Sequence, residues 1–406
     1  MANTLKFGNG EWYGKKDTIL AYNDENSNYK PLPFNFSRAS SATVINKDGL
    51  IETVGSGQPR IDYKDDSKGA LLLEPSRSNL FQRSEDFTQG WTEARIETPY
   101  IADVVSPNGT LNAYTLEMSS GETSGGGIYN VGTSISGDNS FSVFAKKGNA
   151  DYLVLGDTGL DSSRNAVYFN LSNGTIGTEY QNAVGEMKYF GNGWYRCTMK
   201  YSLTSNANKF IYLTNKNGET TNSVVGGDFI YIYGAQLEEG SYPTSYIPTQ
   251  GSIVTRNQDV CNNGGVGVPI FSNTYAVWFM DLERIGVSDL DIGDSLTLRD
   301  DSNVRQITLW FDSPSKQIRF RDGKNSLTQI GGVMSTSEGT RKKIALKIDG
   351  ETLKLFAEGS QVGANYTKVN SFDITQMTMQ GIGYKIRNIK FYNTTLTDQE
   401  LIALTS

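Results

Sequence analysis

The sequence predicts an all-β protein of two antiparallel β-sandwich domains, with a short N-terminal anchoring segment and a short C-terminal helix. Three observations carry this reading. Apolar and polar residues alternate over many short runs, which turns one face of each run to a core and the other to water. The runs are separated by Asn-Gly and Asp-Gly pairs, whose glycines supply the backbone conformations that tight hairpins need. The composition agrees, with 43 Gly, 22 Tyr and 18 Phe against 10 Pro in 406 residues. That length suits two or three domains.

Residues 1–33 read as a docking segment. Trp12, Tyr13 and Tyr22 are apolar anchors in a polar, turn-rich stretch. They are expected to dock on another protein or a neighbouring copy, leaving a chain that starts near Pro33 able to fold. Residues 34–80 form a second part. Val44-Ile45 and Leu50-Ile51 flank Asn46-Lys47-Asp48-Gly49, a hairpin with a Gly-containing turn. Arg38, Arg60 and Arg77 alternate here with Glu52, Asp62 and Glu74. Guanidinium–carboxylate forks pin irregular backbone by binding two oxygens at once, so these charges read as structural. Arg38, Glu74 and Arg77 are expected in one ion-pair network tying this part to the first sandwich.

Residues 81–252 read as the first sandwich. FSVFAKK (141–147), DYLVLGD (151–157), NAVYFNLSNGTIG (165–177), MKYFGNGWYRCTMKYSL (187–203), KFIYLTN (209–215) and DFIYIYGAQLEEG (228–240) are its strand runs. Asn173-Gly174, Asn192-Gly193 and Asn217-Gly218 are its hairpin turns. Residues 253–406 read as the second sandwich, with Asp349-Gly350 turning KKIALKI into LKLF. The basic run Arg341-Lys342-Lys343 reads as a solvated edge that discourages strand pairing. Thr397 and Glu400 form a capping box that opens the terminal helix.

The runs Arg38-Ala39-Ser40-Ser41-Ala42 and Glu74-Pro75-Ser76-Arg77-Ser78-Asn79-Leu80, with PRIDY (59–63) between them, resemble the signature segment of bacteriophage tail-fibre and virion-appendage proteins. The opening, residues 5–34, resembles the N-termini of appendage proteins from crAss-like phages. The order NLFQRSEDFTQGW, FSVFAKKG, VYFNLSNGTIG, GWYRC, IYIYGAQLEEG resembles carbohydrate-binding jelly-roll modules. The closing strand and helix resemble the end of concanavalin A-like lectin domains. The resemblance implies jelly-roll or lectin-like sandwiches in a tail or head/collar fibre protein on the particle exterior, made in the host cytoplasm. It implies other virion proteins as partners, a homo-oligomer (trimer or dimer), and host surface polysaccharide as a ligand. A purely structural connector and a glycan depolymerase are the alternatives.

Other chemistry is narrowed by composition. With no histidine in the chain, a Ser-His-Asp triad, a Cys-His pair and a His-ligated zinc are excluded. A net charge of −7 gives no general field for nucleic acid. No apolar run is long enough to span a bilayer, and the N-terminus lacks a signal-peptide core. Cys197 and Cys261 read as buried free thiols in different domains. No cofactor and no metal site is expected; Asp289, Asp291 and Asp294 fail the spacing of a calcium loop and read as a solvated loop. The chain reads as not an enzyme. Trp194, Trp278 and Trp310 are assigned to cores. Tyr129 and Tyr152, near loops of the first sandwich, are the candidates for stacking on a sugar ring, with Asp157 as a hydrogen-bonding neighbour.

Overall fold

The computed structural model describes residues 4–8, 12–23, 28–133, 135–203, 207–266, 272–286, 296–312, 317–335, 339–381 and 383–406. The chain forms two compact units. A terminal unit holds Met1–Lys47, Thr53–Ser76 and Asn257–Ser406, and a central unit holds Asp48–Glu52 and Arg77–Arg256. Both are antiparallel β structures, as the alternation predicts.

The central unit has two six-stranded sheets. The first runs Thr92–Ala94, Gly126–Thr133, Ala207–Thr214, Tyr152–Asp157, Asn165–Asn170, Thr175–Tyr180. The second runs Tyr100–Ile101, Tyr114–Glu117, Phe229–Glu239, Gly137–Lys147, Trp194–Leu203, Val184–Tyr189. Alternate residues of both sheets meet in one core. Leu153 and Leu155 face inward from the first; Phe141, Val143 and Cys197 face inward from the second. Asn79 closes a seam between distant motifs. Its amide donates to Ala235 O at 3.0 Å and Ile247 O at 2.9 Å, and its carbonyl accepts from Phe81 N and Leu237 N. The SNLF and GAQLEE motifs thus meet in space.

The terminal unit is built from two runs of paired strands. One runs Thr352–Ala357, Arg341–Asp349, Tyr275–Arg284, Tyr384–Tyr392, Thr4–Gly8. The other runs Thr18–Asn23, Asn28–Ser37, Val260–Gly264, Gln376–Gln380, Leu296–Arg299, Arg305–Asp312, Gln317–Asp322, Thr328–Ser335. Trp278, Met280 and Leu346 of the first run meet Phe36, Leu298, Leu309 and Phe320 of the second in a common core. The strand Tyr275–Arg284 buries both faces. Its Val277 and Phe279 point the other way and pack with Leu401 of the helix Asp398–Thr405. That helix starts at the expected capping box: Glu400 N donates to Thr397 Oγ1 at 3.2 Å and Thr397 N donates to Glu400 Oε2 at 2.7 Å.

Four expectations are corrected. The N-terminal segment is not left to dock elsewhere, because Thr4–Gly8 pairs along Tyr384–Tyr392 and Trp12 Nε1 donates to Arg387 O at 3.2 Å. The two units do not follow four consecutive parts of the chain, because Ala70–Leu73 pairs with Tyr384–Tyr392. The strand beginning Arg341-Lys342-Lys343 is no edge; it lies between two partners, Arg341 forks onto Asp281, and Lys342 is buried beside Glu358. The ion-pair network joins different residues from those expected. Arg38 and Glu74 belong to it, but their partners are Arg60 and Asp259, and it lies within the terminal unit.

In that network Arg60 Nη1 donates to Glu74 Oε2 at 2.7 Å and to Thr43 O at 3.1 Å, and its Nη2 donates to Asp259 Oδ2. Arg38 Nη1 donates to Asp259 Oδ1 at 3.0 Å, its Nε to Ser40 O at 2.9 Å and its Nη2 to Gly55 O at 2.8 Å. Glu74 N donates to Asp259 Oδ2 at 2.9 Å. All four side chains are buried. Burial opposes the Arg60 charge, yet Asp259 and Glu74 outweigh it and hold the guanidinium above its ordinary pKa. Arg77 is elsewhere: it lies over the Tyr242 ring, 5.6 Å from the centroid, in the central unit.

Arg60→Ala leaves two buried carboxylates without their shared partner, so it should destabilise the terminal unit by about 3–5 kcal/mol in urea denaturation. Arg77→Ala should leave that transition in place. Removing residues 1–33 strips a strand from Tyr384–Tyr392; amide exchange along that strand should accelerate, and unchanged exchange would contradict the assignment.

Candidate functional site

The outer face of the central unit's first sheet is the candidate site. Its residues are those that alternate with the core positions. Tyr129, Tyr152, Phe210, Tyr212, Tyr168 and Tyr180 all fall on it, because Ile128, Leu153, Ile211 and Phe169 are turned to the core. The register brings them side by side: Tyr129 pairs with Phe210, Tyr212 with Val154, and Val154 with Tyr168. The Tyr129 and Phe210 rings stack at 5.3 Å and 29°. Phe210 meets Tyr212 edge-on at 5.5 Å, and Tyr168 meets Tyr180 edge-on at 6.0 Å. Tyr168 and Tyr212 are buried in this layer, while Tyr129, Tyr152, Tyr180 and Phe210 are half-buried. Burial pushes the Tyr168 and Tyr212 phenols above their usual range, so they stay neutral.

Two loops fold onto the face. The turn after Tyr152–Asp157 passes over Gly156, where an added Cβ would collide with Leu160 and with Gly159 O; only glycine permits this approach. Tyr168 Oη donates to Leu160 O at 3.0 Å and fixes the loop. From the second loop, Gly218 O accepts from Tyr180 Oη at 2.8 Å and Asn217 Oδ1 accepts from Thr178 N at 2.7 Å. Charges near the face are matched locally, Arg95 with Glu122 at 3.9 Å and Lys216 with Glu219 at 3.8 Å. Tyr152 Oη accepts from Asn170 Nδ2 at 3.0 Å, which leaves its O–H to donate outward. The arrangement offers ring faces for stacking and a few hydroxyls and amides for hydrogen bonds, with little net charge.

Of the sequence candidates, Tyr129 and Tyr152 lie on this face and Asp157 does not. Asp157 shares the parity of Leu153 and Leu155 and points inward, where Lys209 Nζ donates to its Oδ1 at 3.0 Å. Both side chains are wholly buried. Burial raises the Asp157 carboxyl despite the nearby ammonium, and burial lowers Lys209. Asp157 is therefore a core ion pair and not a ligand group. Sequence reasoning missed Phe210, Tyr212, Tyr168 and Tyr180. The spacing of Phe210 and Tyr212 in KFIYLT showed a shared face, but not which other strands extend it. Trp194 and Trp278 are buried as expected; Trp310 is half-buried on an outer face. Cys197 and Cys261 are buried free thiols, raised by burial. Among the described residues no group of three or more His, Cys, Asp or Glu could hold a metal; Asp289, Asp291 and Asp294 lie outside them.

No protein-family model matches the chain. No curated protein matches it either. Solved structures similar to it include the CBM40 of the Ruminococcus gnavus IT-sialidase bound to α2,3-sialyllactose, at 16% identity and TM-score 0.27, over 33% of this chain and 83% of that one. Trypanosoma rangeli sialidase aligns at 10% identity and TM-score 0.30, over 96% of this chain and 65% of its own length. A GH43 protein of Bacillus licheniformis aligns at 8% identity and TM-score 0.23, over 97% of this chain and 96% of that one. Because sialidases and a GH43 protein are among these structures, the expectation that the chain is not an enzyme is withdrawn. At such identities and TM-scores the likeness assigns no activity.

Lys209→Met leaves Asp157 buried without its cation. The central unit should lose about 3–5 kcal/mol near neutral pH. The sign of the pH dependence follows from the raised Asp157 pKa: below it the carboxyl is protonated and needs no partner, so the loss should shrink as pH falls. Thermal melts of both proteins across acid to neutral pH would check this; a loss that grows on acidification would contradict it.

Proposed function

We propose that the chain engages glycans through the aromatic face of the central unit. The observation that carries this is the stacked, half-buried Tyr129–Phe210 pair, on the same sheet face as Tyr152 and rimmed by the loops at Leu160 and Gly218. A pyranose presents apolar C–H faces and equatorial hydroxyls. Ring faces with neighbouring amides and hydroxyls match both, and the locally matched charges favour a neutral sugar. The finer reading is that the chain is a tail or head/collar fibre component of a bacteriophage virion, assembled as a homo-oligomer with other virion proteins and meeting host polysaccharide. Its support is the resemblance of residues 34–81 and 5–34 to appendage proteins. Weak sites repeated in such an oligomer would bind by avidity.

A multivalent display of the protein on a glycan array should bind neutral polysaccharide. Phe210→Ala and Tyr129→Ala should each weaken binding by about three- to tenfold, the worth of one aromatic contact. Unchanged binding in both variants would remove the face from consideration. Release of new reducing ends during incubation would assign glycan cleavage, the second reading that the sialidase and GH43 likenesses leave open.

A further inference from the structure

The terminal unit carries a second, chemically different face. In the run from Gln376–Gln380 to Thr328–Ser335, the core positions are Met377, Leu298, Leu309, Ile318 and Phe320. The alternate positions therefore form the outer face, and they hold Thr378, Thr297 and Arg299, Thr308 and Trp310, Arg319 and Arg321. Register aligns Thr378, Thr297, Thr308 and Arg321 in one row, with Trp310 opposite Arg319 in another. The three threonines are buried under the longer side chains. They form a hydroxyl floor: Thr297 Oγ1 and Thr308 Oγ1 lie 3.3 Å apart, and Thr378 Oγ1 accepts from Arg299 Nε at 3.2 Å.

Arg321 stands over the Trp310 ring, its guanidinium carbon 4.2 Å from the ring centroid. Both side chains are half-buried. Arg319 is held beside them by Gln317, whose Oε1 accepts from Nη2 at 3.0 Å, and Arg299 is held by Asn303 O at 2.9 Å. Among the described residues no carboxylate contacts Arg321. Arg319 and Arg321 thus lie two apart along one strand of this face, next to Trp310, in a chain whose net charge is −7. A guanidinium stacked on indole keeps its N–H edge for a planar oxyanion and has little rotamer freedom left to lose.

We propose that this face binds an oxyanion group, carboxylate or sulfate, carried on a saccharide, with Arg321 as the bidentate donor and Trp310 as its support. The cluster is too compact to track a long phosphate backbone, and the acidic chain around it opposes one. Gln317 and Gln329 flank the arginines and suit sugar hydroxyls. The proposal is independent of the aromatic face in the central unit.

The test is titration of the full chain with galacturonate oligomers, sulfated dextran oligomers and unmodified dextran oligomers. One or both anionic ligands should bind at least about tenfold tighter than the neutral one, as charge-assisted bidentate contacts imply. The two anionic arms distinguish carboxylate from sulfate. Arg321→Gln should lower anionic affinity by about tenfold, and Arg321→Lys should not restore it, since the fork is lost. Gln329→Glu, an exposed substitution in register with Arg321, should abolish binding by supplying the missing carboxylate. The proposal is overturned if no anionic oligomer binds, if the neutral oligomer binds as tightly and is weakened equally by Arg321→Gln, or if anionic binding survives Gln329→Glu with melting unchanged.

Discussion

Asp259 is the group on which the terminal unit depends. Its two oxygens receive Arg38, Arg60 and the Glu74 backbone, and its own backbone N–H donates to Glu74 O at 3.1 Å. Gly381 N donates to Asp259 O at 2.7 Å, and a side chain at Gly381 would collide with the Glu74 carbonyl. Segments from both ends of the sequence converge on one carboxylate. A buried charge cluster of this kind is weak evidence for net stability, because desolvation offsets much of the attraction. Its consequence here is specific geometry. It fixes where the early segment rejoins the late strands.

The same economy recurs at Asn79, which makes four hydrogen bonds to backbone, two of them to Ala235 and Leu237 of GAQLEE. Neither site is a catalytic arrangement. Both satisfy buried backbone groups that irregular chain would otherwise leave unpaired. With backbone accounted for in this way, the outer sheet faces are free to differ. One became aromatic; the other carries Arg321 stacked on Trp310. A sheet whose inner face is committed to packing can vary its outer face without disturbing the fold, which is why function on such folds lies in the site and not in the architecture.

Period-two alternation made the strands legible. Leu153 and Leu155, or Ile344, Leu346 and Ile348, could be assigned inward from the sequence, and the Thr397–Glu400 box located the helix. The inference to sites was uneven for a physical reason. Tyr129 and Tyr152 sit on the outer face, but Asp157 shares the inward parity of its strand, and parity was available from the sequence. Arg77 was grouped with Glu74 on nearness along the chain, whereas the fourth member of the cluster, Asp259, lies far away in sequence.

The sequence by itself determined the all-β class, the turn positions, the capped terminal helix and the absence of histidine chemistry. Each is a local property, set by side-chain period, by glycine at strained backbone, or by composition. Tertiary structure alone decided which strands pair, that the N-terminal segment completes the terminal sheet, and which aromatics share a face. Register between strands distant in sequence depends on many weak contacts acting together, and no single segment encodes it. The Arg321–Trp310 stack is of that kind: two residues on different strands, diagonal across one register, with nothing in either segment to announce the other.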